Sequence, residues 1–511
     1  MSVDQRREGL SGEVHQLFHM GAFVVLCASL GVGWLLYNLI CHLSLRRKLS
    51  GIPSSRSYPI LGHGAIVKPD PEGFVDQVMG MASIFPSPRM CLFWLGPNPA
   101  LMLYSPELME KIVTKREHLN KGFAYDLLHP WLGLSLLTTE KKEWRPRRKM
   151  LTPTFHYDIL KDFLPIFNHH ARILIQKMNR ITDNSPMEVL HTISLCALDA
   201  ICETSMGKTV NAQQETDSEY VRAIADINEI VQNRTKNPLA WSEFIFNRTK
   251  DGTRHKQCLE ILHGFTRKVI NERLEEMRAR EWRLEGRLAF LDLLLHMWNE
   301  GSMEWKDIQP EVDTFMFEGH DTTATALTWA LHLIGNDDNI QRLIHEEVDA
   351  VFVGDEISVD DLGKLKYLEC CVKESLRLFP SVPIIMRELG EDQELNGHIV
   401  PKGTHLLLNI YLTHRDPNHW DDPEVFRPER FLPDNSARHA YSFVPFSAGS
   451  RNCIGQRFAL MEEKTILAWI FRHFKIKSSE RRFEVRTKME LIMRPQKEIH
   501  IQLEKRRSIS H

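Results

Sequence analysis

Near the C-terminus, Phe446-Ser-Ala-Gly449-Ser-Arg451-Asn-Cys453-Ile-Gly455 fits the pattern F-x-x-G-x-R-x-C-x-G. Five positions are fixed, and only about 10⁻⁴ chance matches are expected in a chain of 511 residues. The pattern constrains the backbone as well as the chemistry. Gly449 and Gly455 bracket Cys453 and let the chain pass close to a flat group without Cβ clashes. Arg451 places a cation beside the thiol, which favours the thiolate and offers a partner to a carboxylate of the bound group. The segment reads as a cysteine presented to a metal.

The other eight cysteines are Cys27, Cys41, Cys91, Cys196, Cys202, Cys258, Cys370 and Cys371. None has Gly and Arg at fixed offsets, and they read as small buried hydrophobes. An odd count without regular spacing argues against a disulfide framework and fits a reducing compartment.

A second feature lies mid-chain. Asp313 to Leu333 reads as a long apolar helix interrupted by Glu318-Gly319-His320-Asp321-Thr322-Thr323. Gly in such a place costs about 1 kcal/mol relative to Ala. Glu318 and Thr322 are i and i+4, with Asp321 on nearly the same face. A Thr hydroxyl that bonds back to a carbonyl loosens the helix and admits water. An acid, an alcohol and water in one groove make a proton relay. Gly319 would leave room for a bound group, and His320 points away from the Glu318 face.

No Asp, Glu, Lys or Arg occurs between Glu13 and Arg46, and Leu17 to Ile40 is mostly apolar, long enough to span a bilayer. Arg46-Arg47-Lys48 follows, which by the positive-inside rule leaves the bulk of the chain in the cytosol. A cleaved signal peptide would have a basic start and a shorter apolar run. The expected organisation is a lumenal segment at 1–16, a transmembrane anchor at 17–43, a basic and proline-rich linker at 44–62, and one catalytic domain at 63–511.

The body reads mainly helical. Gln257 to Met277 and Asn336 to Phe352 carry apolar residues at three- and four-residue spacing. Short β-like pieces occur near Met90–Leu95, Met102–Tyr104, Glu394–Val400, His405–Asn409 and Glu490–Met493. The expected fold class is mainly α with small β-sheets. A net charge of −3 gives no global reason to expect nucleic acid as a partner.

The Cys453 segment resembles the haem-ligand loop of the cytochrome P450 family, the haem-thiolate monooxygenases, in which a thiolate ligand pushes electron density onto iron and favours O–O cleavage. The helix motif resembles that family's acid–alcohol pair, with Thr322 as the oxygen-site threonine and Asp321 as its acidic partner. Glu318 sits where many members have alanine. A glutamate there is characteristic of family 4, the fatty-acid ω-hydroxylase branch, where it becomes esterified to a haem methyl. Glu318–Thr323, Phe379–Val382 and Phe443–Gly455 are most similar to the V subfamily.

Other residues follow from the same resemblance. Glu374, Arg377 and Arg430 would form the family's buried Glu-Arg-Arg network and hold the cysteine loop. Trp144, Arg148, Arg387 and Arg451 would face the propionates of haem b. Pro146 departs from the usual pattern: a helix that starts there would let Trp144 and Arg148 both face the haem, whereas a kink would take Arg148 out of the site. Apart from the resemblance, the charge of the run Lys141, Lys142, Arg145, Arg147, Arg148 and Lys149 reads either as a solvated basic face or as a docking patch for an acidic electron donor.

The resemblance therefore implies a P450 fold behind one anchor helix in the endoplasmic reticulum membrane. Electrons would come from NADPH–cytochrome P450 reductase, with cytochrome b5 as a second donor. The reaction would be O2-dependent hydroxylation of a lipid, foremost at the ω-carbon of medium- or long-chain fatty acids. The rival readings are a monooxygenase of another apolar substrate, steroid or xenobiotic, and a haem-thiolate isomerase or lyase.

Overall fold

The computed structural model describes residues 26, 29–33, 36–58, 62–64, 66–68, 70–96, 98–155, 157–181, 185–214, 218–284, 287–435 and 438–506. It divides into two units, Met1–Pro53 with Gln393–Val400, and Ser54–Asp392 with Pro401–His511.

In the smaller unit, residues 36–48 are helical and expose Leu36, Tyr37, Leu39, Ile40 and Leu43. Much of the predicted 17–43 anchor, and all of 1–16, lies outside the described residues. The piece read as one strand from Glu394 to Val400 is a hairpin, Gln393–Leu395 against His398–Val400. Asn396 and Gly397 turn it with φ of 46° and 80°, the backbone a two-residue I′ turn demands.

The larger unit is helical around one long central helix. The elements that place the site are α1 (Lys141–Leu151), α2 (Val189–Ile201), α3 (Glu219–Lys236), α4 (Trp305–Ile334), α5 (Lys366–Leu378) and α6 (Gln456–His473). A four-stranded sheet runs in the order β1 (Met90–Leu95), β2 (Asn98–Leu103), β4 (His405–Asn409), β3 (Ile384–Glu388). Only the β2–β4 pairing is parallel. Helical bulk with small sheets is the expected class.

Two boundaries differ from the sequence reading. α4 begins at Trp305, before the predicted Asp313, and runs through Pro310. A proline inside a helix leaves the carbonyl four residues earlier without its donor. Here that residue is Lys306, which is exposed and can give its carbonyl to water. The Glu490–Met493 strand is instead largely the turn between β5 (Thr487–Met489) and β6 (Met493–Pro495). Leu491-Ile492-Met493 is apolar because it is inward-facing, and apolarity alone does not separate a buried turn from a strand.

α2 with the short π-helix Cys202–Met206 is long and apolar enough to cross a membrane, yet that 18-residue stretch is 78% buried. It is the core helix packed against α4.

Candidate active site

From Glu311 to Ile334 every residue of α4 is buried except Glu318, Gly319 and Thr322. At about 100° per residue these three fall on one stripe. A helix wrapped by protein on its other sides thus leaves Glu318 and Thr322 toward open space, with Gly319 at the edge of the strip against α2. The Thr322 hydroxyl donates to the Glu318 carbonyl at 2.7 Å, the back-bond expected of a threonine there. Ser381 Oγ donates to the Thr322 carbonyl at 2.9 Å. Burial pushes the Glu318 carboxyl up to about 7; Lys121 and Arg148 pull it down, and Glu311 pushes it further up.

The strip excludes its other polar neighbours. Asp321 is buried on a different side, where Arg494 and Asn228 donate to its carboxylate. Asp321 and Thr322 are therefore adjacent in sequence but do not share a face. His320 turns its Nδ1 to the Met316 carbonyl and its ring toward Tyr220. A Cβ on Gly319 would come within 2.5 Å of the Ile201 side chain. Gly319 thus permits the close crossing of α2, where the sequence reading gave its space to a bound group.

The cysteine loop is fixed by its own backbone. The Cys453 N–H donates to the Phe446 carbonyl at 2.9 Å, and Asn452 N–H to the Gly449 carbonyl at 3.2 Å. Gly449 has φ of +70°, and a Cβ there would lie 1.9 Å from the Val113 carbonyl oxygen. Gly455 is under no such pressure; a Cβ there would meet only the Cys453 sulfur, at 3.9 Å. Cys453 is exposed, yet burial is the main force pushing its thiol up to about 12, with the Glu318 charge adding and the Gly455 N–H and Arg148 opposing. Glu318 and Arg148 thus both lie within electrostatic reach of the Cys453 sulfur, which is open to the side that the strip of α4 faces.

The cation acting on this thiol is Arg148 rather than Arg451. Arg148 donates to the Asn452 carbonyl at 2.7 Å and to Asn452 Oδ1 at 2.9 Å. Pro146 sits within a continuous α1, its orphaned carbonyl at exposed Lys142. Arg451 lies 4.4 Å from the Trp144 ring centroid and donates to the Thr139 carbonyl at 2.6 Å. Arg387, Arg451 and Lys121 are mutually close: each lowers a neighbour's affinity for its proton, and burial with this repulsion brings Arg451 down to about 9. Tyr125 bonds to Arg387, and the Lys121 ammonium stands 4.2 Å from the Tyr125 ring centroid.

The model of the family "Cytochrome P450" matches residues 53–503. The chain belongs to the cytochrome P450 family. Cytochrome P450 4V2 of Mus musculus is 44% identical over 98% of both chains, and its Homo sapiens counterpart 46% over 90% of this chain and 91% of its own. Cytochrome P450 4c3 of Drosophila melanogaster is 38% identical over 92% of this chain and 93% of its own. The protein is a P450 monooxygenase of family 4, an oxidoreductase.

The residues around this site of the P450 fit haem. Arg387, Arg451 and Lys121 repel one another, and Arg451 Nε is buried without a hydrogen bond among the described residues. A dianionic pair of propionates is the complement such a cluster lacks. Cys453 supplies a donor of the right chemistry for the iron.

Behind the loop, Glu374 receives Arg377 through two bonds of 2.7 and 2.8 Å, Arg430 at 3.3 Å and the Arg427 N–H at 2.9 Å. Arg377 also donates to the carbonyls of His414, Pro423 and Val425. His414 then accepts from Val444 N–H at 2.8 Å, at the start of the cysteine loop. Burial beside Arg377 and Arg415 drives His414 down to about 3, which keeps it neutral and able to accept.

Sequence reasoning missed Lys121, Tyr125, Ser381, His414 and Arg494. Ser381 alone stands inside a segment used above, Phe379–Val382, and the other four lie in no motif. The basic run of α1 is split by the fold. Arg147 turns inward to Glu311 and Asp307 at 2.7 and 3.3 Å, Arg148 turns to the loop, and Lys142, Arg145 and Lys149 stay exposed.

Proposed function

We propose that this P450 hydroxylates medium- or long-chain fatty acids at the ω-carbon, with haem b held by Cys453 and covalently tethered through Glu318. The observation that carries the reading is the position of Glu318: it is on the single open strip of α4, one turn before Thr322, and coupled by charge to Cys453. Its raised pKa also supports a carboxyl that is partly protonated near neutrality and poised against a nearby apolar edge.

Haem bound at Cys453 supplies dioxygen activation. The chain does the rest. Arg387, Arg451, Lys121 and Trp144 orient the propionate edge, with Arg148 bracing the loop beside Cys453. Thr322 passes a proton into the site, and Asp321, held on another face of α4 by Arg494 and Asn228, is the acid that resupplies it once it turns away from them. A tethered, rigid site with a narrow channel favours presentation of a terminal methyl even though subterminal C–H bonds are weaker; positioning decides the point of attack.

Residues 17–43 are the anchor in the endoplasmic reticulum membrane, with the catalytic unit in the cytosol. Exposed Lys142, Arg145 and Lys149 offer the NADPH-dependent reductase, or cytochrome b5, a basic docking face.

Two measurements test the proposal. After turnover, denaturing acid extraction should leave part of the haem on the polypeptide, and a saturated fatty acid should yield mainly the terminal alcohol. Fully extractable haem removes the tether. Turnover of steroids or bulky xenobiotics without fatty acids removes the substrate class, and peroxide rearrangement without NADPH selects the isomerase reading. Replacing Cys453 by Ala should abolish the red-shifted carbon monoxide band of thiolate-ligated ferrous haem.

A further inference from the structure

Glu311 is fully buried about two turns before Glu318, on the same face of α4. At Glu311 that face is covered by the turn Gly133–Thr139. The turn is stiffened from within. Thr138 Oγ1 donates to the Gly133 carbonyl at 2.7 Å and accepts from Ser135 N–H at 2.9 Å, and Thr139 Oγ1 donates to the Ser135 carbonyl at 2.8 Å. It meets α4 at two points. Gly133, at φ of +52°, lies so close to Pro310 that a Cβ would come within 2.8 Å of its ring. Leu136 N–H donates to both Glu311 carboxylate oxygens, at 3.0 and 3.2 Å.

The other side of the turn holds Arg451. Its Nη2 donates to the Thr139 carbonyl at 2.6 Å and its Nη1 to the Leu136 carbonyl at 3.4 Å. Leu136 therefore gives its N–H to Glu311 and its carbonyl to Arg451. Glu311 is itself held in place: Arg147 Nη1 donates to its Oε1 at 2.7 Å, and Asp307 steadies the same guanidinium at 3.3 Å. A buried ion pair is a weak source of stability, because desolvation offsets most of its attraction. Its value here lies in what it places.

We infer that Glu311 is a positioning residue for the haem carboxylates: through the Leu136 peptide it sets where the Arg451 guanidinium points. Arg451 stands among cations that repel it, Arg387 and Arg148, and its Nε is buried without a hydrogen bond among the described residues. A guanidinium in such company stays aimed only while its carbonyl acceptors stay still. Two of these lie on the turn that Glu311 fastens to α4. The central helix, which carries Glu318 and Thr322, is thereby joined to the propionate edge by one carboxylate and one peptide. This rests on Arg451 facing a propionate, as proposed above.

The test uses full-length, haem-loaded enzyme that has not turned over, so that no tether masks release. Two quantities are read: the rate at which haem passes to excess apoglobin, and the ferric–ferrous midpoint potential. Glu311→Leu removes both acceptors and should speed haem release about ten-fold, the weight of one hydrogen bond to a charged group. Glu311→Gln keeps an oxygen at the Oε1 position, which takes both Leu136 and Arg147. It should release haem within about two-fold of the parent, the ordinary error of additivity. Glu311→Asp keeps the charge but is one methylene short of Leu136. It should speed release, and it should lower the potential because the propionate charge is then less well compensated. It also stands in where Glu311→Leu fails to load haem. Arg451→Lys, whose single ammonium does not span two carbonyls, should by itself speed release. In that background Glu311→Leu or Glu311→Asp should add less than about two-fold. Full additivity in this cycle, or release from Glu311→Gln as fast as from Glu311→Leu, overturns the positioning role and leaves Glu311 as packing. Release and potential both unchanged in Arg451→Lys alone overturn the placement of Arg451 on a propionate, and the inference with it.

Discussion

The hydroxyl of Thr322 is bonded to the carbonyl of Glu318, 2.7 Å away and one turn back along the same buried helix. The bond parks the hydroxyl inside the helix groove, while the Glu318 side chain and the Thr322 side chain stay on the one strip open to the site. A bond of this kind is weak on balance, on the order of 1 kcal/mol. It is therefore easily exchanged for a bond into the site, which suits a residue that must pass a proton on demand.

Replacing Thr322 by Ala removes that hydroxyl and little volume. Haem content and the carbon monoxide spectrum should stay at the parent level. Product formed per NADPH consumed should fall about ten-fold, against roughly 10²–10⁴ for a fully lost general acid. Thr322→Ser should recover most of it. Unchanged coupling in Thr322→Ala would rule the hydroxyl out of the relay.

Glu318 gives a pH signature in the apoprotein. Its carboxyl is raised to about 7 in the folded chain, from an ordinary 4.5. Between these values the unfolded state holds fewer protons, so stability falls as pH rises from about 4.5 to 7. Glu318→Gln should remove this contribution: the difference in unfolding free energy between variant and parent should grow in the variant's favour across that window and level off above it. Chemical denaturation at pH 5 and at pH 7.5 measures it.

Gly449→Ala should be among the most damaging single-methyl changes in the chain. The added Cβ meets a backbone carbonyl at 1.9 Å, at a φ of +70°, so the loop itself must move, beyond about 1–3 kcal/mol of backbone strain. The expected result is loss of haem incorporation, read by the carbon monoxide difference spectrum. Gly455→Ala, facing only the Cys453 sulfur at 3.9 Å, should retain haem to a far greater degree.

Glu374→Gln and Arg377→Met each leave the other partner's charge buried, which costs about 3–5 kcal/mol. Both side chains are 0% exposed. Each variant should lower the melting temperature and the fraction of chain that takes up haem. Arg427→Met, whose side chain pairs with the exposed Asp422, should change neither.

What the sequence alone determined is the chemistry carried within single elements. Cys453 with Gly449, Glu318 with Thr322, and Glu374 with Arg377 are each separated by four residues or fewer. At such spacings helix or loop geometry fixes the relative positions before the chain packs. The tertiary structure decided the rest. Arg147 finds Glu311 across 164 positions, and Arg494 finds Asp321 across 173. It set Arg148 rather than Arg451 against the thiol, brought Lys121 into the site, and turned Asp321 off the strip that Thr322 occupies. Local spacing says which residues share a turn. Which way a long side chain points, and what charge it meets there, depends on the elements packed against that turn, and these are known only when the chain has folded.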